Sequence, residues 1–253
     1  MAFSKTYDGP EPVRVNKWLA QAGVCSRREA EQLIADGLVF IDGERVGDAG
    51  RKIAPGQTLR LADQGGAQLD AQRTLVVNKP VGFVSAQPEP GQTPAARLLT
   101  RAALVGPPPA RLPEAQARWA PLGRLDQDSR GLLLLSEDGV LAKAVIGPES
   151  TVDKEYLVGV RGQLTPEKLA VLRHGLELDG RKLKRAVVER LGEGRLRFVL
   201  HEGRNRQIRR MCEAVGLEVV DLLRTRIGPV RLGDLPEGRW RMLTGEERAG
   251  LVG

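Results

Sequence analysis

Asp126 stands in PLGRLDQDSRGLLLLSEDG, residues 121–139, directly after Gly-Arg-Leu and ahead of four consecutive leucines. A carboxylate in such a place can serve as a base or as a nucleophile. Leu132 to Leu135, bounded by Gly131 and by Glu137-Asp138-Gly139, reads as a buried strand with a turn at its end. That places Asp126 in the loop entering a core strand, held by rigid scaffold yet reachable from outside. On its own, an aspartate there is most simply a turn cap. Two further groups have side chains suited to a site. Tyr156 lies in KEYLV, which alternates as a strand does, and taken singly it is most simply a core tyrosine. The stretch HEGRNRQIRRMCE, residues 201–213, reads as a basic loop running into a helix with Ile208, Met211, Cys212 and Val215 on its inner face. It carries Arg204, Arg206, Arg209 and Arg210, of which Arg204, Arg206 and Arg210 fit an anion-binding set or a solvated helix face equally well.

The elements that must position these residues can be read along the chain. Residues 1–12 read as a loose tail. Val15, Trp18, Leu19 and Ala22 predict a short amphipathic helix closed by Gly23. Ser26-Arg27-Arg28-Glu29 is a capping-box pattern opening a second helix, with Arg27 and Arg28 in its exposed first turn, where a phosphate would be well received. A strand over 38–41, an Asp42-Gly43 turn and a strand near 58–61 follow. Residues 63–73, polar with a Gly-Gly pair, read as a flexible linker. Beyond it a strand ends at Asn78-Lys79-Pro80-Val81-Gly82, where Gly82 permits a tight turn close to a ligand. Residues 86–94 and 104–119, rich in Pro, Gly and Ala, read as long surface loops. Later come a helix capped by Thr165-Pro166-Glu167 and ended by Gly175, strands near 185–190 and 195–201, a strand near 218–222, and a last pair near 224–232 and 240–243.

Composition bounds the partners. In 253 residues, 39 Lys and Arg outnumber 32 Asp and Glu, a net +7 that favours a polyanionic partner. No apolar run is long enough to span a bilayer, and no leader pattern opens the chain, so a cytoplasmic protein without membrane association is expected. Two cysteines, Cys25 and Cys212, and two histidines are not at zinc-site spacing, and buried free thiols are the simpler expectation. The expectation is therefore chemistry on carboxylate, Tyr, Lys and Arg, with no cofactor and no metal. With four Phe, three Trp and two Tyr, few aromatics are available to stack on a base.

Residues 13–62, with SRREAEQLI, GLVFIDGERV and PGQTLRL in that order, resemble an S4 RNA-binding module. GRLDQDSRGLLLL resembles the catalytic motif of RNA pseudouridine synthases of the RsuA/RluB type. NKPVG, KEYLV and GRNRQIRRM follow that family's order and approximate spacing. The resemblance covers about residues 13–245, and RTRIGPVRLGDLPEGRWRMLT is most similar to the branch acting on 23S ribosomal RNA. It implies isomerisation of uridine to pseudouridine, in which the N-glycosidic bond breaks, the uracil turns and a carbon–carbon bond forms. Asp126 would be the catalytic carboxylate, Arg209 its counter-charge, and Tyr156 the residue that stacks on the uracil and helps remove its proton. Ile208 would wall the pocket, while Arg124, Lys79, Arg204 and Arg206 would bind substrate, and Arg27 and Arg28 would contact RNA.

The fold expected is α+β: a small S4-like domain over 13–62, a linker over 63–73 and a pseudouridine synthase domain over 74–246 with a mostly antiparallel mixed sheet. The partner expected is ribosomal RNA, 23S above all, free or in an assembling subunit, bound by a monomer. Two other readings stay open at this point: a non-catalytic RNA-binding assembly factor, and a synthase acting on transfer RNA.

Overall fold

The computed structural model describes residues 3–114, 119–174 and 176–252. The chain forms two compact units, one of residues up to Arg73 together with Ser136–Lys143, the other of Thr74–Leu135 together with residues from Ala144 onward.

In the first unit, helices α1 (Val15–Gln21) and α2 (Arg27–Ala35) bury Val15, Trp18, Leu19, Ala30, Leu33 and Ile34. The capping box at α2 is complete: Glu29 N donates to Ser26 Oγ at 3.2 Å, and Ser26 N donates to Glu29 Oε2 at 2.5 Å. These helices pack with a four-stranded sheet ordered Ser4–Thr6, Thr58–Leu61, Val39–Ile41, Glu44–Arg45. Asp42 and Gly43, with φ of 50° and 85°, make the turn between the last two strands.

Two expectations for this unit are overturned. Residues 3–12 are not a loose tail, because Ser4–Thr6 pairs antiparallel with Thr58–Leu61. Tyr7 then packs edge-on against Trp18 at 5.6 Å and donates its hydroxyl to Glu11 O at 2.7 Å. Nor are residues 63–73 simply a flexible linker: Asp63–Asp70 is helix α3. Its glycine pair is tolerated because Gly65 is buried where a Cβ would come 3.3 Å from Leu38 Cβ, and Leu69 packs on the first unit's core.

The second unit is built on one sheet. Its main path runs Val187–Gly192, Arg195–Leu200, Lys154–Arg161, Glu218–Ile227, Arg130–Ser136, Thr74–Lys79, Trp240–Met242. The Arg130 and Glu218 strands run parallel; the Lys154 strand is antiparallel to both its neighbours, as Trp240–Met242 is to Thr74–Lys79. Leu132 to Leu135 are at most 1% exposed, as the unbroken apolar run requires of a strand covered on both faces. Each such leucine contributes about 1.5–3 kcal/mol by burial. Helices α5 (Pro166–Arg173) and α6 (Gln207–Ala214) flank the sheet. Helix α4 (Gly139–Ile146) follows the leucine strand, and α7 (Gly245–Val252) extends the chain's order beyond the expected limit at 246. The expected ending of α5 at Gly175 falls outside the described residues, as do positions 115–118 of the long loop. No described helix is long and apolar enough to cross a membrane. Both cysteines are buried, and burial pushes their thiols up to about 12.

The two strands expected on either side of residue 223 are one strand, Glu218–Ile227, because its shifts of register let it bend without breaking. One shift lies between Glu155 and Tyr156 and sets Tyr156 opposite Arg224. At the head of the leucine strand, Gly131 pairs with Arg224 at φ 105°; a Cβ there would come 2.4 Å from Arg224 O and 2.8 Å from Arg224 N. Gly131→Ala is therefore expected to lower stability by at least the roughly 1–3 kcal/mol of a forced backbone conformation. Denaturant unfolding measures this, and a midpoint equal to that of the parent chain would contradict the packing.

Candidate active site

Asp126 opens a tight turn in which Ser129 N donates to Asp126 O at 3.1 Å. The backbone around it is gripped from three directions. Arg224, 1% exposed, donates Nε to Leu132 O at 2.7 Å, Nη2 to Gly123 O at 3.0 Å and Nη1 to Arg124 O at 3.3 Å. Ser85 Oγ donates to Leu125 O at 2.7 Å and accepts from Leu125 N at 2.8 Å. Gly82 N donates to Gln127 O at 2.8 Å, and Gln127 Nε2 returns a bond to Gly82 O. Bonds to a charged donor contribute roughly 1.5–3 kcal/mol each, so the conformation of residues 123–127 is strongly determined. Of their side chains, those of Arg124 and Asp126 face the pocket, while Leu125 is buried in the core.

What they face is a pocket of about 820 Å³ within the second unit. Asp126, partly exposed, lines it together with Arg124 and Arg206. Tyr156 and Ile208, 8% and 4% exposed, contribute the apolar side along with Leu200 and Leu222. Tyr156 reaches the pocket because Lys154, Tyr156, Val158 and Val160 form the buried face of their strand. Ile208 comes from the first turn of α6, whose N-cap is Arg206 at φ 48°, ψ 33°. This left-handed residue turns the incoming loop so that its guanidinium meets the Asp126 turn. Arg206 Nη1 lies 3.5 Å from Asp126 Oδ2, and the two Nη atoms donate to Asp128 Oδ1 and Oδ2 at 3.2 Å each.

The chain that builds this braced carboxylate, with an aromatic pocket and a cationic rim, is similar in sequence and fold to known proteins. Residues 73–214 match the RNA pseudouridylate synthase family, and residues 13–59 match the S4 domain. The chain belongs to the RNA pseudouridine synthases. It is 35% identical over 237 residues to the dual-specificity RNA pseudouridine synthase RluF of Escherichia coli (strain K12), covering 93% of this chain and 77% of that one. An uncharacterized RNA pseudouridine synthase of Aquifex aeolicus is also 35% identical, with 94% and 93% covered. A solved structure described as a pseudouridylate synthase superposes with a TM-score of 0.66 at 28% identity, covering 95% of this chain and all of that one.

Within this synthase, several side chains stand elsewhere than their motifs led one to expect. Arg209 pairs with Asp128, its Nη2 3.3 Å from Oδ1, and makes no ion pair with Asp126 among the described residues. Its Nη2 donates to Asp128 O at 2.8 Å and Ser129 Oγ at 3.3 Å, and its Nη1 donates to Val219 O at 3.1 Å. It holds the turn from behind, while Arg206, one helical turn earlier, takes the place beside Asp126. Lys79 does not reach substrate space: it is fully buried, and its Nζ donates to Pro80 O at 2.8 Å and Phe83 O at 2.7 Å. Arg204 borders the pocket, but its guanidinium is occupied by the carbonyls of Leu178, Arg181 and Lys182 at 2.9–3.1 Å. Arg124 is exposed at the pocket with its side chain unpaired among the described residues. Arg27 and Arg28 are exposed on the first turn of α2 in the other unit.

Sequence reasoning missed Arg224, Ser85 and Asp128. Arg224 had a legible signal, since it stands two residues from buried Leu222 on a strand and so shares its inward face. Ser85 had none. Asp128 lay inside the quoted motif; burial pushes its carboxyl up, but the Arg206 hydrogen bond and the charges of Arg209 and Arg206 outweigh this and hold it below the usual carboxylate range.

Burial and the neighbouring Arg224 charge together push the Lys79 ammonium down to about 8, against the opposing pull of Asp126 and Asp128. The unfolded chain then binds the extra proton between pH 8 and the ordinary lysine range near 10.4, so this lysine makes stability rise with pH across that window. Relative to Lys79→Met, the parent chain should gain stability between pH 7.5 and pH 10 in denaturant titrations. A difference between the two that does not change with pH would contradict the burial of the ammonium.

Proposed function

We propose that this pseudouridine synthase isomerises specific uridines of ribosomal RNA, those of the 23S molecule in particular, with Asp126 as the catalytic carboxylate. The observation that carries the reading is the convergence, in one pocket, of a reachable carboxylate on a braced turn with Tyr156 and Ile208. A uridine must leave its stack to be reached, at a cost of a few kcal/mol, and is then read in a pocket by stacking and polar contacts. In this reading the flipped uracil lies against Tyr156 and Ile208, while Asp126 faces the ribose C1′. The carboxylate acts there as nucleophile or base while the N1–C1′ bond breaks. The uracil turns, C5 bonds to C1′, the proton on C5 is released with the assistance of Tyr156, and N1 takes up a proton from solvent, which balances the isomerisation.

Arg206 holds the carboxylate side of the turn before RNA arrives, and Arg209 keeps the turn's backbone in place. Arg124, unpaired at the mouth, takes a phosphate of the target strand or fills the gap left by the flipped base. Arg27 and Arg28 contact RNA phosphates from the S4 module. The protein works as a monomer in the cytoplasm. The E. coli relative is called dual-specificity, which favours a second RNA class as substrate as well, and transfer RNA is the one to test.

Asp126→Asn preserves shape and removes the carboxylate. Tritium release from RNA transcripts carrying 5-tritiated uridine should fall below detection, with RNA affinity within about threefold of the parent. Release within tenfold of the parent rate would remove Asp126 from the catalytic role. Parallel ribosomal and transfer RNA transcripts assign the substrate class, and release confined to transfer RNA would overturn the ribosomal assignment.

A further inference from the structure

Many arginines of the second unit are matched to carboxylates: Arg130 to Asp221, Arg161 to Glu218, Arg226 to Asp153 and Arg241 to Glu247. The small hairpin Glu177–Leu178/Arg181–Lys182 and the residues directly after it are different. Arg181, Lys182, Lys184 and Arg185 are all exposed, and none has an acidic partner among the described residues. A run of cations on a loop is often no more than a solvated face, but this one is fixed in place. Leu178, Leu183 and Ala186 are buried in the second unit's core and tack the segment down. The Arg204 fork grips the carbonyls of Leu178, Arg181 and Lys182, Lys184 N donates to Glu202 Oε1 at 2.9 Å, and Arg210 pairs with Asp179 at 2.7 Å. All these anchors come from residues 202–210, the stretch that presents Arg206 to Asp126. Lys184 itself lines the pocket that holds Asp126.

We propose that this basic hairpin is a docking surface for the RNA backbone, taking phosphates of the strand that leads into the pocket. Arg204 is then a positioning residue: it aims the hairpin's cations and does not itself bind RNA. The inference rests on the reading that an RNA strand enters this pocket. Fixed cations suit the task because little chain entropy is lost when they meet phosphates. Their contribution is sequence-independent, so it would dock the target strand while the pocket selects the base.

The test uses the full chain and a labelled 20-residue oligouridine, with affinity followed against salt concentration. Lys182→Gln with Lys184→Gln, and Arg181→Gln with Arg185→Gln, should each make the log–log salt slope shallower by roughly 1.4, from two contacts at about 0.7 each on a single strand. Affinity at low salt should fall about tenfold for each pair. Arg190→Gln with Arg195→Gln removes the same charge from exposed positions off the pocket and should change affinity less than twofold. Arg204→Lys keeps the charge but not the fork, and should cost affinity as a hairpin pair does. Hairpin pairs that bind like the parent, or a control pair that loses as much, would overturn the proposal. If a pair unfolds, the single variants Lys182→Gln and Lys184→Gln carry the test with half the slope change each. Binding is read without turnover, so a parent chain that fails to release tritium would sink the isomerase reading while leaving this result interpretable.

Discussion

The second unit depends on one buried cation. Arg224 lies inside the protein with no carboxylate partner among the described residues, and it meets its hydrogen-bonding needs with three backbone carbonyls. Two of those carbonyls belong to Gly123 and Arg124, directly before Leu125-Asp126; the third belongs to the leucine strand. A charge in that position is tolerable only while all three acceptors stay in place. The arrangement therefore ties the fold to the geometry of the loop. Lys79 follows the same logic on the opposite side, with the carbonyls of Pro80 and Phe83 as its acceptors. Lys79 and Arg204, which from their motifs were expected to touch substrate, thus hold main chain instead.

The same division of labour runs through the loop leading into α6. Of its four arginines, Arg204 and Arg210 fasten the hairpin at 177–185, Arg209 fastens the Asp126–Ser129 turn, and Arg206 faces the carboxylates of Asp126 and Asp128. A linear motif dense in arginine looks like a phosphate-binding surface. Here most of it is internal bracing, and among the described residues that line the pocket Arg124 and Lys184 have no acidic partner.

Much of this is legible in the sequence. The leucine run, the capping box at Ser26, the Thr165-Pro166 start and the alternation around Tyr156 follow from local rules of burial and capping, and those elements form where expected. The S4 module, the synthase family and the α+β sheet architecture were likewise visible in the motifs. What was not legible depends on partners distant in sequence. The order of Ser4–Thr6 comes from a strand more than fifty residues away, and Gly-Gly at 65–66 hid a helix because burial of Gly65 overrode its weak propensity. In the site, the choice between Arg206 and Arg209 turns on a single left-handed residue at the head of α6, a backbone detail that composition does not encode.

Whether Asp126 works on uridine in ribosomal RNA is read from a pseudouridine map of cellular RNA. Total RNA is compared from cells carrying the parent gene and cells in which the same gene encodes Asp126→Asn at equal protein level. The expected result is the loss of one or a few pseudouridines in 23S RNA, together with any transfer RNA position the same site modifies, and no change at the remaining positions. Maps that are identical in the two strains would contradict it.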